Sequence, residues 1–232
     1  VITGQVGVTQ LGTDAFQEAD VIGITLPVTK WAYQVQRPEE IPWAIARAFY
    51  IARTGRPGAV VLDITNDAQR GMLEWDYSKI DFIRSYDPDP SPQPAAIREA
   101  ASLLNHAVRP LIIAGHGVEI SQAEPQLQAL AEKADIPVVA TLLGLSTMPS
   151  DHPLFKGMVG MHGNIGPNIA TNRADVIMAV GMRFDNRITG AIKKYAPQAQ
   201  IIHIDIDNAV LKAEIVAACF EDILHCLVLV DV

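Results

Sequence analysis

Two stretches of this 232-residue chain place glycines and charged side chains where a strand ends. Pro110 to Ala114 reads as a short apolar strand that runs straight into Gly115-His116-Gly117, with a helix soon after. Glycines at such an edge let backbone N–H groups come close to a ligand, though a plain left-handed turn between strand and helix asks for them equally. Asp175 to Val180 reads as a second strand and ends in Gly181-Met182-Arg183-Phe184-Asp185-Asn186-Arg187. Two guanidinium groups there can grip a phosphate or carboxylate through paired donors; the alternative is a solvated loop tied by an Arg–Asp pair.

A third strand, Gln200 to Asp205, finishes as His203-Ile204-Asp205-Ile206-Asp207. Acids at that position receive ribose hydroxyls in α/β nucleotide-binding folds, while Asp207 reads equally as the N-cap of a helix begun by Asn208-Ala209-Val210-Leu211. Between these strands, Gly157-Met158-Val159-Gly160-Met161-His162-Gly163 mixes glycine with flexible thioethers. That composition suits backbone lying against a flat aromatic ring system, with a mobile loop as the other reading. An isolated His162 is more often structural than a catalytic base, and no histidines have ligand-like spacing, so no metal is expected within the chain. The G-x-S-x-G elbow, the G-x-x-x-x-G-K-[ST] loop and the H-E-x-x-H helix are all missing, which removes the usual carriers of hydrolase, nucleotide-triphosphatase and metalloprotease chemistry. The residues by themselves point to binding of a nucleotide-like cofactor.

The elements that must hold these residues are legible as an alternation. Helix is expected over 95–107 and over Ser121 to Ala134, with a strand at Pro137 to Ala140 between that helix and the glycine-Met segment. Short continuous apolar strands alternating with amphipathic helices predict an α/β fold, a parallel sheet covered on both faces with ligands at the carboxyl ends of its strands. Ahead of this lies Tyr86-Asp87-Pro88-Asp89-Pro90-Ser91-Pro92-Gln93-Pro94, where four prolines fall within seven residues and favour an extended linker. The expected organisation is therefore a first domain over residues 1–85, a linker over 86–94 and a second domain over 95–232. In the first domain, Pro38 to Thr54 reads as a helix whose Ile41, Ile45, Ala48, Phe49 and Ala52 share one face and which Gly55 stops. Ala59 to Ile64 reads as a buried parallel-type strand. Val1-Ile2-Thr3-Gly4-Gln5 has no initiator Met and reads like the end of another buried strand, so the chain is expected to start mid-domain.

With 49% hydrophobic and 19% charged residues the chain should be globular. A formal net charge of −8 without a basic run opposes sequence-independent nucleic-acid binding. Its apolar stretches are far below the roughly 18 residues needed to cross a bilayer, so no membrane partner is expected. Only Cys219 and Cys226 occur, too few for a disulfide framework, which fits a reducing, cytoplasmic setting.

Taken in order, Thr3-Gly4-Gln5-Val6, Gly12-Thr13-Asp14-Ala15-Phe16-Gln17-Glu18, Pro27-Val28-Thr29-Lys30 and Gly55-Arg56-Pro57-Gly58 closely resemble the large catalytic subunit of the acetolactate synthase family. The resemblance continues through Ala114 to Val118, Thr141-Leu142-Leu143-Gly144, Gly160 to Gly163, Gly181 to Gly190 and His203 to Asp207, so it covers residues 1–207. It implies the end of a thiamine-pyrimidine-binding α/β domain followed by a Rossmann-like central domain that holds FAD in a structural role. It implies a transferase that joins two pyruvates, or pyruvate and 2-oxobutyrate, with thiamine diphosphate and Mg²⁺, in branched-chain amino-acid biosynthesis. It further implies a homodimer or higher oligomer, with a regulatory small subunit among the expected partners.

By that resemblance Phe16, Gln17, Met161 and Asp185 border the thiamine and substrate pocket. Arg56, Gly115, His116, Gly117, Thr141, Leu142, Met161, His162, Gly181, Arg183, Asp185, Arg187, Ile188, Asp205 and Ile206 stand where the family contacts FAD. No catalytic residue is expected within the chain: the glutamate that acts on the thiamine aminopyrimidine lies upstream of Val1, and the Gly-Asp-Gly and Asn that grip Mg²⁺ and diphosphate belong to a third domain. The chain alone is thus expected to be an inactive fragment. Gly7 stands where the family usually has Pro, Thr65-Asn66-Asp67 replaces Pro-Lys-Asp, and Asn208 to Leu211 departs from the usual continuation. A related thiamine-dependent carboligase or oxidase and a non-catalytic nucleotide-binding module are the alternative readings.

Overall fold

The computed structural model describes residues 1–75, 77–89 and 94–207. The chain divides into two compact units, Val1–Pro88 and Asp89–Val232. No helix among the described residues is long and apolar enough to cross a membrane.

The first unit is built on three parallel strands, β1 (Ile2–Gln5), β2 (Trp31–Val35) and β3 (Val60–Thr65), in the order β1-β3-β2. Helix α1 (Val21–Thr25) lies against β2 and β3, α2 (Glu40–Arg53) covers one face of the sheet, and α3 (Asn66–Arg70) follows β3 directly. Because side chains alternate along a strand, Val35, Leu62 and Ile64 meet Ala44 and Ala48 of α2 in one core, while Thr3, Asp63 and Gln34, in register across the three strands, share the opposite face. The strand read at Ala59–Ile64 is thus present and central. Two details differ from expectation. Phe49 is 61% exposed, because α2 turns Ala44, Ala48 and Ile51 inward instead. The opening strand forms, yet Ile2 is 65% exposed, since β1 lies at the edge of the described sheet.

The second unit contains β4 (Pro110–Ala114), β5 (Val138–Ala140), β6 (Phe155–Met158), β7 (Val176–Val180) and β8 (Gln200–Ile204), all parallel, in the order β6-β5-β4-β7-β8. Helices α4 (Pro94–His106), α5 (His116–Ile120), α6 (Glu124–Ala134), α7 (Ile165–Arg173) and α8 (Asn186–Thr189) connect them. Alternate residues of each strand feed two cores. Ile112, Val138, Met178 and Ile202 pack with Leu104 of α4 and Leu127 and Leu130 of α6. Leu111, Ile113, Val139 and Ile177 pack on the other side with Ala170 of α7 and with Met182 and Phe184. Burial on both faces explains why β4, β5 and β7 read as continuous apolar runs.

The helix expected over Ser121 to Ala134 is α6, which starts at Glu124 with Pro125 in its first turn, because Gln122, at φ +57°, separates it from α5. β6 and α7 had no counterpart in the sequence reading. β6 is a four-residue edge strand containing Lys156 and Gly157, and α7 opens Ile165-Gly166-Pro167 with no apolar stripe, so neither carries a periodic signal.

Candidate functional site

In the second unit the strand order reverses between β4 and β7, which is where doubly wound sheets open a crevice at their carboxyl edge. The glycines stand at this point. A Cβ on Gly115 would lie 2.3 Å from the Gly181 carbonyl oxygen, and one on Gly181 would lie 2.6 Å from Gly117 Cα. Gly115 is extended (φ −117°, ψ −177°), so its need for glycine is close packing and not the left-handed turn considered above; Gly181, at φ +60°, requires both. The N–H of Gly115 donates to the Val180 carbonyl at 2.8 Å and that of Gly117 to the Gly181 carbonyl at 3.0 Å. Those two donors are committed to joining the β4 and β7 turns. Gly144, absent from the expected site, belongs to the same seam, because its Cβ would meet the Ala114 carbonyl oxygen at 2.3 Å. Thr141 begins the turn carrying it, Leu142 is 67% exposed, and exposed His116 sets Nδ1 3.3 Å from Glu119.

A second junction joins the glycine-Met segment to the arginine loop. The Met161 N–H donates to the Arg187 carbonyl at 2.7 Å, and Arg187 Nη1 lies 3.5 Å from Met161 Sδ. Gly160, at φ +100°, brings its Cα so close that a Cβ would fall 2.8 Å from the Arg187 carbonyl oxygen. The Asn168 side chain grips Gly160 from both sides, accepting from its N–H and donating to its carbonyl, each at 3.0 Å. The segment read as a loop is therefore tied at Gly160, while Met161 is 59% exposed and His162 is exposed. Asn168 lies on the unanticipated α7, so only knowledge of that helix would have flagged it.

Asp185 caps α8 by accepting from the Arg187 N–H at 2.9 Å, and Arg183 Nη2 stands 3.8 Å from the other carboxylate oxygen. The features of the solvated-loop reading are present: an Arg–Asp pair exists, and both guanidinium groups face solvent. Phe184 and Ile188 of the same loop pack on the core and anchor it. The Gly181 N–H donates to the Ile204 carbonyl at 2.8 Å, which sets buried Asp205 beside the glycine seam; Asp205 accepts from the Asp207 N–H at 2.9 Å, and Ile206 packs inward. The helix expected after Asp207 and the two cysteines lie outside the described residues.

His203 is a further structural member. It is wholly buried, with Nε2 2.8 Å from the Met182 carbonyl and its ring edge-on to Phe184 at 5.2 Å. A carbonyl only accepts, so Nε2 carries the proton, while Nδ1 has no hydrogen-bond partner. Burial pushes the His203 pKa below its ordinary value of 6.5, outweighing the Met182 bond and Asp205. The unfolded chain then takes up a proton that the folded chain refuses, so this contribution to stability is full above the ordinary value and is lost as pH falls below it. Thermal unfolding followed from pH 7.5 to 5 should show a decline that His203→Gln makes shallower; equal slopes would contradict this assignment.

In the first unit, Phe16 is 89% exposed and exposed Gln17 adopts φ +67° on the loop between β1 and α1. The loop borders a cleft of about 520 Å³ lined by Gln5, Gly12, Asp14, Glu18, Asp20 and Gln34. Arg56 is exposed on the turn after α2.

Sheet order, two-sided burial and the edge cluster define the second unit as a doubly wound, Rossmann-like α/β domain. The chain belongs to the thiamine pyrophosphate enzyme family, matching its central domain over residues 97–227. It is similar to the acetolactate synthase large subunit of Corynebacterium glutamicum, 48% identical over 209 residues that make up 90% of this chain and 33% of the relative. It is 47% identical to the probable acetolactate synthase large subunit of Methanocaldococcus jannaschii over 90% of this chain and 36% of that protein. The chain spans about a third of the length of the curated relatives it matches.

Proposed function

We propose that this chain serves as part of an acetolactate synthase large subunit, condensing two pyruvates, or pyruvate and 2-oxobutyrate, with release of CO₂. The observation that carries the reading is the meeting of Gly115–Gly117, Gly160–Met161 and Gly181–Arg187 at one carboxyl edge, in a chain this similar to proteins of that name.

The residues present fit a flavin nucleotide. The glycines let the turns pack backbone to backbone at this edge, Leu142 and Met161 offer exposed apolar side chains for a ring system, and Arg183 and Arg187 offer exposed cations for a diphosphate. His116, Gly117, Thr141, His162, Asp185, Ile188, Asp205 and Ile206 complete the proposed flavin surface. Thiamine diphosphate with Mg²⁺, when bound to the whole enzyme, would supply a nucleophilic carbon for the 2-oxo acid. The part given to this chain is positioning: the arginines neutralise the nucleotide anion, and Phe16 and Gln17 shape the space around the reacting carbonyl. The enzyme so proposed is a cytoplasmic homo-oligomer with a regulatory small subunit.

Full-length enzyme should bind FAD with fluorescence quenching and form acetolactate from pyruvate. Arg183→Ala combined with Arg187→Ala should weaken FAD binding about 100-fold if each guanidinium makes an ordinary charge-assisted contact. Unchanged flavin affinity in the double variant, or no acetolactate from the unaltered enzyme, would overturn the proposal.

A further inference from the structure

We propose that Glu18, together with Asp63 acting through Gln5, is a positioning residue that holds the loop carrying Phe16 and Gln17 in its working shape. The inference deepens the function proposed above and rests on it for the roles of Phe16 and Gln17.

The loop is one that a free chain would seldom adopt. Gly12, Asp14 and Gln17 have φ of +75°, +58° and +67°, and the last two are not glycine. Left-handed backbone at such residues persists only where neighbouring contacts impose it. Two sets of contacts do so. At the near end, one Glu18 carboxylate oxygen accepts from the Gly12 N–H and the other from the Ala15 N–H at 3.0 Å, so a single carboxylate closes the turn from within. The backbone donor of Gly12, followed by that of Ala15, holds the Glu18 carboxyl below the usual glutamate range and so keeps it charged.

At the far end, Gln5 Nε2 donates to the Ala19 carbonyl at 2.7 Å. The same nitrogen donates to Asp63 Oδ2 at 3.1 Å. Asp63 Oδ2 accepts this bond while the Val6 N–H donates to Gln5 Oε1 at 2.9 Å, so the two together fix which way the Gln5 amide faces and offer Ala19 a donor and not a second acceptor. Asp63 is wholly buried and is itself oriented by Thr3 Oγ1 at 2.8 Å and Gln34 Nε2 at 3.1 Å. A buried acid on the sheet thus fixes one end of an exposed loop, and an acid on the loop fixes the other. Between them Phe16 stands 89% exposed, already in place to meet a ligand without first being ordered.

The test uses the full-length enzyme, wild type and with Glu18→Gln, Glu18→Ala or Asp63→Asn. The glutamine side chain keeps one acceptor and the alanine side chain keeps none, so a graded response is expected. In Glu18→Ala, kcat should fall about 100-fold, as misplacement of a positioning group by about 1 Å does, while thiamine diphosphate and FAD affinities stay within about twofold. Glu18→Gln should fall between, and Asp63→Asn should move in the same direction. Amide hydrogen exchange at Gly12 and Ala15 should quicken in step, a readout that needs no turnover. Wild-type kcat in Glu18→Ala would overturn the inference, whether or not exchange quickens, and so would a kcat loss without faster exchange. An unaltered enzyme that makes no acetolactate defeats the function proposed above, and the exchange rates then decide by themselves whether Glu18 holds the loop.

Discussion

Gly115→Ala is expected to destabilise the second unit by about 3 kcal/mol or more, lowering its unfolding midpoint by roughly 10 °C. The methyl group would sit 2.3 Å from the Gly181 carbonyl oxygen and 2.5 Å from Met182 Cβ, and the first of these is backbone that no rotamer change can clear. Relief requires the turns after β4 and β7 to separate, which breaks the Gly115–Val180 and Gly117–Gly181 hydrogen bonds and disturbs the floor of the proposed flavin surface. Gly166→Ala is the matched control. It sits in the first turn of α7 with nothing within 4 Å of its Cβ, so the same chemical change should be neutral or slightly stabilising. Urea unfolding of the two variants side by side separates the steric cause from a general glycine effect. Equal midpoints would show that the seam at Gly115 yields more readily than its geometry implies.

Asp63→Ala should cost about 3 kcal/mol in the first unit, because it strips the acceptor from Thr3, Gln5 and Gln34 on a face where Asp63 is wholly buried. Burying a donor without a partner is the penalty here, not loss of attraction to any one group. Asp63→Asn, equal in size and still able to accept, should lose less than half as much. Denaturant midpoints of the two variants check this, and an alanine variant as stable as wild type would mean that solvent reaches the three donors.

The apolar runs at 110–114 and 175–180 were legible because strands buried on both faces must be apolar at every position, and the structure places β4 and β7 there within one residue. β3 was legible for a related reason, its Val61, Leu62 and Ile64 being buried in the middle of three strands. Legibility failed where local composition is mixed. Lys156 and Gly157 disguise β6, and Gly166, Pro167 and three asparagine or threonine residues disguise α7, since an edge strand and a half-exposed helix are held by neighbours more than by their own pattern. Phe49 shows the converse error: the helical spacing that placed it on one face with Ile41, Ile45 and Ala48 includes the rim of that face, and α2 buries Ala44, Ala48 and Ile51 instead.

What the order of residues determined by itself was the alternating α/β plan, the carboxyl-edge location of the glycine and arginine turns, and a run of motifs dense enough to resemble one enzyme family. Those properties are local or sequential, set by periodicity and by spacing along the chain. Only the tertiary structure decided which of these groups are bonded to one another. It committed the Gly115 and Gly117 N–H groups to β7, clamped Gly160 with a side chain from α7, set neutral His203 behind the arginine loop, and tied Glu18 and Asp63 to opposite ends of the Phe16 loop. The β4–β7, His203 and Asp63 contacts join segments far apart in sequence, and even the short-range clamps on Gly12 and Gly160 depend on the turn each loop adopts, so all are settled by packing, which no local pattern encodes.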